Sequence, residues 1–224
     1  MKKTLIGLFI AMFSFGLASA ETGVNIGVSG NAALYAATAT ELDQGSHGTT
    51  TGSADETNSE SEFLGLGYAS IFVEGSLGPI LVGFDYVPSG IDTETASTEV
   101  DDKTTTDTSS DVTNTVQVEF NDLTTAYVGL KIMDRGYIKV GVASVDLETK
   151  ENLGTGSSYG NTSIDGTMIG AGMQHTMDNG VFLRAEANVY EFDSVSLTSS
   201  SGSQKITLDS LDGVVGKVSI GKTF

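Results

Sequence analysis

The sequence predicts an all-β protein: an eight-stranded antiparallel up-and-down barrel that crosses a membrane with its strands, with short turns at one end and long acidic loops at the other. Three observations predict it. Apolar residues recur with a period of two rather than the 3.6 of a helix. Short turns alternate with long polar stretches along the chain. Beyond the first 20 residues, no apolar stretch reaches the roughly 20 residues that a spanning helix requires.

Composition narrows the function classes before any element is placed. The 224 residues include 28 Gly, 2 Pro, no Cys and no Trp, with 29 Asp+Glu against 11 Lys+Arg and a formal charge of -18. So few cations cannot cluster into a phosphate-binding surface, which excludes nucleic acid as a partner. The absence of Cys excludes a disulfide framework, a thiolate metal site and a thiol nucleophile. The only histidines, His47 and His175, restrict catalytic and metal readings further, and no cofactor is expected. At 39% hydrophobic and 18% charged, the chain has too few apolar residues for a large packed core and too few charges for a well-solvated soluble domain.

The elements follow in order. Residues 1–20 read as a secretory signal peptide: Lys2 and Lys3 form a positive start, 5–17 is an uncharged apolar run, and Ala18-Ser19-Ala20 offers a small-residue cleavage site before Glu21. Cleavage there leaves 21–224 as the barrel domain. The lost segment carries Lys2 and Lys3 and no acid, so the charge becomes -20. Strands are expected at 23–37, 63–74, 80–88, 113–132, 137–147, 167–176, 181–197 and 206–224. Polar stretches at 40–62, 89–115, 149–165 and 194–205 bury too little apolar area to offset ordering entropy and read as mobile loops. Short turns fall at 75–79, at Met133-Asp134-Arg135-Gly136 and at Met177-Asp178-Asn179-Gly180, where Asn-Gly suits the positive φ angles of a tight hairpin.

The alternation identifies two faces. Within 116–132, even positions carry Val116, Val118, Phe120, Ala126, Val128, Leu130 and Ile132, and only Asp122 and Leu123 break the sorting. Val181, Leu183, Ala185, Ala187 and Val189 form a second stripe, Ile80, Val82, Phe84 and Tyr86 a third, and Val214, Val218 and Ile220 a fourth. A soluble barrel would turn its polar face to water. Here the opposite face is small, polar or charged, and Gly27, Gly65, Gly67, Gly83, Gly129, Gly141, Gly170 and Gly172 thin the strands as a narrow lumen requires. Lipid outside and polar groups inside fit both faces, and closure pairs every backbone group in hydrocarbon. A porin of sixteen or more strands would need the acidic stretches to be strands, and their composition speaks against that.

The signal peptide, the eight-strand meander and the terminal Val218-Ser219-Ile220-Gly221-Lys222-Thr223-Phe224 resemble the small bacterial outer-membrane barrels typified by the OmpA membrane domain, OmpX and the opacity proteins. The resemblance covers the mature chain and rests on pattern. It implies residence in the bacterial outer membrane, contact with outer-membrane lipid, short periplasmic turns and long extracellular loops. It also implies that Val218, Ile220 and Phe224 form the signal read by the barrel assembly machinery.

Strand phase places Glu74, Asp85, Lys131, Lys139, Arg184, Glu186 and Lys217 opposite the apolar stripes, so they are expected in the lumen. Unpaired ions in a narrow interior are costly, which predicts a salt-bridge network that fills it. The acidic loops could take divalent cations or other surface ligands, but no stretch has the regular spacing of a Ca²⁺ loop. Neither histidine has a neighbouring Ser arranged as nucleophile and base, and Asn161-Thr162-Ser163 is uninformative as a glycosylation acceptor in a chain of bacterial type. Three functions follow: a structural or surface-interaction barrel, favoured, with acidic loops displayed outside; a small porin-like diffusion channel, second; and a lipid-modifying enzyme, a distant third.

Overall fold

A computed structural model describes residues 22–43, 56–88, 90–92, 96–100, 112–152, 158–200 and 204–224. The signal-peptide reading of 1–20 and His47 lie outside these residues, as do the centres of the long polar stretches. The described chain is a ring of antiparallel strands with no helix. The segments are β1 (Thr22–Asp43), β2 (Glu56–Leu77), β3 (Ile80–Tyr86), β4 (Ile91–Asp92), β5 (Ala96–Val100), β6 (Val112–Lys131), β7 (Gly136–Asn152), β8 (Thr162–Thr176), β9 (Val181–Phe192), β10 (Val195–Thr198) and β11 (Gln204–Thr223). Because β3, β4 and β5 follow one another along β6, and β9 and β10 along β11, the eleven segments build eight staves. Pairing of β1 with β11, from Asn25↔Thr223 to Asp43↔Gln204, closes the ring.

The outer face carries the stripes. Ile26, Val28 and Leu34 on β1, Ile71 on β2, Val128 and Leu130 on β6, Ile138, Val140 and Val142 on β7, Leu183 and Val189 on β9, and Val214, Val218 and Ile220 on β11 are all exposed. On β1 this band runs from Ile26 to Leu34. At ~3.3 Å per residue and a tilt of about 40° that is roughly 20 Å of height, close to the apolar band of outer-membrane barrels. Its upper limit is marked by exposed carboxylates at Glu62, Asp122, Glu191 and Asp212.

Three findings correct the expectations. First, the strands outrun the apolar band and enter the polar stretches: β1 reaches Asp43, β2 begins at Glu56, β7 reaches Asn152 and β8 begins at Thr162. A ladder needs paired backbone more than buried side chains, and hydroxyl pairs line this one, Thr38 with Ser61 at 3.0 Å, Thr40 with Ser59 at 3.1 Å and Ser196 with Thr207 at 2.9 Å. Second, the break in alternation at Asp122 and Leu123 is a β-bulge in which Asp122 has φ 53° and the β6–β7 register shifts between Asn121 and Thr124. The bulge adds one outward residue, so Val118 and Phe120, which share parity with Val128 and Leu130, pack against the interior cluster instead of facing lipid. Third, Gly65 and Gly67 face outward with essentially open space beside them, whereas a Cβ at Gly27 or Gly83 would meet Phe72 at 2.7 Å or Tyr127 at 2.2 Å.

Those last contacts recur around the lumen. Tyr35 lies over Gly213, Phe72 over Gly27, Tyr127 over Gly83, Tyr137 over Gly172, Phe182 over Gly221 and Phe192 over Gly166, each ring occupying the place a cross-strand Cβ would take. Laying rings flat over glycines fills an eight-strand interior that is only wide enough for side chains.

Candidate functional site in the barrel lumen

The inward residues separate into two layers along the barrel axis. Nearest the short turns, strand alternation delivers one or more polar groups from every stave: Asn25 (β1), Glu74 (β2), Asp85 (β3), Tyr127 (β6), Tyr137 and Lys139 (β7), Gln174 (β8), Arg184 and Glu186 (β9) and Lys217 (β11). Their charges cancel, three carboxylates against three cations.

Arg184 and Glu74 form the centre. The guanidinium donates to both carboxylate oxygens, Nη2 to Oε1 at 2.6 Å and Nη1 to Oε2 at 3.1 Å, with both side chains essentially inaccessible to solvent. Such a two-point contact fixes direction as well as distance. Glu74 also accepts from Asn25 Nδ2 at 2.9 Å and from the Tyr127 hydroxyl at 2.9 Å. Arg184 Nε donates to Gln174 Oε1 at 3.0 Å, and its guanidinium carbon lies 4.9 Å from the Phe72 ring centroid and 5.3 Å from those of Tyr137 and Phe182. Around this pair, Lys139 Nζ lies 2.9 Å from Glu186 Oε1, which also accepts from the Tyr137 hydroxyl. Lys217 donates to Asp85, to which the Ser70 hydroxyl donates at 3.4 Å. Among the described residues two buried oxygens lack a hydrogen-bond partner, Glu186 Oε2 and Asn188 Oδ1.

The geometry thus brings together Glu74, Asp85, Lys139, Arg184, Glu186 and Lys217 and leaves out Lys131. Lys131 has the inward phase, but it is the last residue of β6 and exposed. It lines a vestibule of about 210 Å³ at the short-turn end with Arg135, Gln174 and Thr223, and phase alone cannot separate a lumenal residue from one at the rim. Strand reading passed over Asn25, Tyr127, Tyr137 and Gln174. Their signal was the same parity, in uncharged residues.

Above this layer the interior turns apolar. Tyr35, Val87, Leu123, Val145, Leu147, Ile164, Met168, Tyr190, Phe192, Leu211 and Val215 form one buried cluster, with Leu64, Leu66, Tyr68, Val118 and Phe120 packed against it. The expectation of a polar interior therefore holds for the lower half of the lumen only. Bulky residues of this layer match the ring diameter as well as salt bridges do, and they need no partner.

Val218, Ile220 and Phe224 all face outward and are exposed. The terminal residue is tied to β1 by paired backbone bonds with Val24, at 2.9 and 3.1 Å, and Lys222 Nζ lies 5.4 Å from the Phe224 ring centroid. His175, on β8, is exposed at the short-turn end. Among the described residues no group of three or more His, Asp or Glu side chains could hold a metal ion.

These features define a class: a single-chain, eight-stave antiparallel barrel of outer-membrane type, with an apolar belt outside and a filled lumen. Solved structures similar to this chain include outer-membrane proteins. Ail of Yersinia pestis, solved with the heparin analogue sucrose octasulfate, shares 12% identity over 88% of this chain and 99% of its own, with a TM-score of 0.41. OprG of Pseudomonas aeruginosa shares 9% identity over 89% and 95%, with a TM-score of 0.43. The outer-membrane protease OmpT of Escherichia coli shares 7% over 90% and 97%, with a TM-score of 0.45. No family model matches the chain, and no curated protein matches it.

Proposed function

We propose that this protein is a non-enzymatic outer-membrane barrel whose lumen is sealed at its periplasmic half and whose role is to hold an acidic surface out from the membrane. One observation supports this reading above the others: the buried ionic layer takes a group from every stave and is charge-neutral. A hydrated path would need its charges separated and exposed; these are paired and buried. Since the sealed layer cancels, the net charge of the chain resides outside the lumen. Glu60, Glu62, Glu148, Asp193 and Asp209 are exposed near the long-strand end, beyond the apolar band. That surface repels polyanions and suits cationic partners or divalent ions shared with lipid headgroups. The outward Val218, Ile220 and Phe224 suit the assembly signal that the terminal pattern resembles.

Planar-bilayer recording tests the seal. The refolded mature chain is expected to show no steady open-channel current, and a steady ohmic conductance in the unmodified protein would replace the sealed barrel with the diffusion channel.

A further inference from the structure

Within the apolar upper layer lies a narrow cleft lined by Tyr35, Leu64, Leu66, Phe120, Leu123 and Phe192, among other apolar side chains. It offers about 30 Å³ to the centre of a water-sized molecule within about 400 Å³ of atom-free space, part of it open to the outside. No charged or amide side chain lines it. The only side-chain polar groups in its lining are the hydroxyls of Tyr35 and Tyr68, so water in the cleft would find few partners, although the space exceeds what one water needs. Below the cleft, Tyr190 meets Thr125 at 3.5 Å and Asn31 donates to Ser70 at 3.2 Å.

The wall beside the cleft is thin. On one edge β2 pairs with β1 along its whole length, but on the other it pairs with β3 only from Ile71 to Leu77. Among the described residues its upper edge has no partner strand, because β4 and β5 pair with β6 alone. The inward Leu64, Leu66 and Tyr68 accordingly stay part-exposed, while Leu123, Val145, Phe192 and Leu211 across the cleft are buried. Part of this stretch, from Gly65 to Ala69, lies level with Gly30 to Leu34 of β1, within the apolar band. An apolar cleft thus faces the outer-leaflet half of the membrane beside an edge of β2 that no described strand pairs.

We propose that this cleft is a binding site for an unbranched alkyl chain. A narrow, uncharged, water-poor slot suits a flexible hydrocarbon, which gains by leaving water and asks for no hydrogen bond. The chain has two sources, the acyl tail of an outer-leaflet lipid through the side wall or a free apolar solute from the open end. The site is independent of the ionic seal beneath it, so its failure leaves the seal untouched.

Because the protein has no Trp, a single substitution gives a clean reporter. The mature chain carrying Leu64→Trp is refolded into phosphatidylcholine vesicles, checked by heat-modifiable gel migration, and titrated with 1-bromodecane. Emission is expected to fall and saturate at bromodecane-to-lipid ratios that leave the lipid-facing Val218→Trp and the lower-lumen Phe182→Trp unquenched, and plain decane is expected to restore it. Adding Leu66→Glu should remove that early phase. Leu123→Trp, on the opposite wall, serves if Leu64→Trp does not fold. In vesicles of chain-brominated lipid, quenching that decane relieves assigns the acyl tail, and its absence alongside bromodecane quenching assigns the free solute. Quenching of both cleft reporters that merely tracks Val218→Trp would overturn the site.

Discussion

The two halves of the lumen solve one packing problem with opposite chemistry. The lower half holds three carboxylates and three cations in mutual contact, and the upper half holds Tyr, Phe, Leu, Ile, Val and Met with a residual cleft. Both sit within a ring of the same eight staves and both lay aromatic rings over cross-strand glycines. What differs is tolerance. An ionic layer is specific, since each member has a charge that another must answer, whereas an apolar layer can leave a gap and remain satisfied. The lower half therefore suits a seal and the upper half a space that accepts something else.

Arg184→Ala breaks the comparison at its strongest point. It strips Glu74, fully buried, of a two-point partner and removes two bonds to Gln174. Leaving one member of a buried pair uncompensated costs about 3–5 kcal/mol. Urea titration followed by circular dichroism in lipid vesicles should show the loss, and bilayer recording should show current absent from the parent. Combining it with Glu74→Gln removes the orphaned charge, so the double variant should be more stable than Arg184→Ala alone. Equal or lower stability of the double variant would deny that the pair is the keystone of the layer.

Adding a methyl group under a ring compares the halves more finely. A Cβ at Gly83 would lie 2.2 Å from Tyr127, and one at Gly213 would lie 2.2 Å from Tyr35. The collisions are alike, but the escapes are not. Tyr127 is held by its hydroxyl on Glu74, while Tyr35 borders the cleft and has room to swing. Gly83→Ala is expected to cost about 1–3 kcal/mol, in the range for overpacking a tight site, and Gly213→Ala less than about 1 kcal/mol. Matched urea curves decide it, and equal losses would mean that the upper layer is as rigid as the lower. In addition, Gly213→Ala should weaken the early bromodecane quenching at Leu64→Trp, since the displaced ring enters the cleft.

Much of this architecture was legible because a membrane barrel writes its two faces into alternate residues. The stripes at Leu183 to Val189 and Val214 to Ile220 gave the lipid face directly, and the same parity named six of the charged residues that meet in the lower lumen. The upper lumen was hidden for a physical reason. On β2 the bulky Leu64, Leu66 and Tyr68 turn inward while Gly65, Gly67 and Ala69 turn to the outside, the reverse of the rule that bulk faces lipid. On β7 Val140 and Val142 face outward while Val145 and Leu147 face in, so both faces are apolar and alternation marks neither. At Asp122 the bulge exchanges parity and lets Phe120 point in. Strand ends were misjudged because composition reports burial, and a hydroxyl-rich ladder above the membrane needs none.

Lys131 and Lys139 give the smallest and sharpest contrast. They lie on neighbouring staves near the short turns, at the register positions Lys131↔Tyr137 and Gly129↔Lys139, and have the same inward phase. Lys139 is buried, 2.9 Å from Glu186 and 4.6 Å from the Tyr127 ring centroid, whereas Lys131 is exposed on the vestibule. Lys131→Ala should change stability by no more than about 0.5 kcal/mol, as for an ordinary surface substitution. Lys139→Ala takes from Glu186 its closest cation, with one oxygen already lacking a partner, and should cost several times as much. Lys139→Met, which keeps most of the side-chain volume, should recover little of that loss, because Glu186 still lacks the charge. Recovery to the parent level with Met would show that Lys139 acts through its packing, and that the lower lumen, like the upper, is held by volume alone.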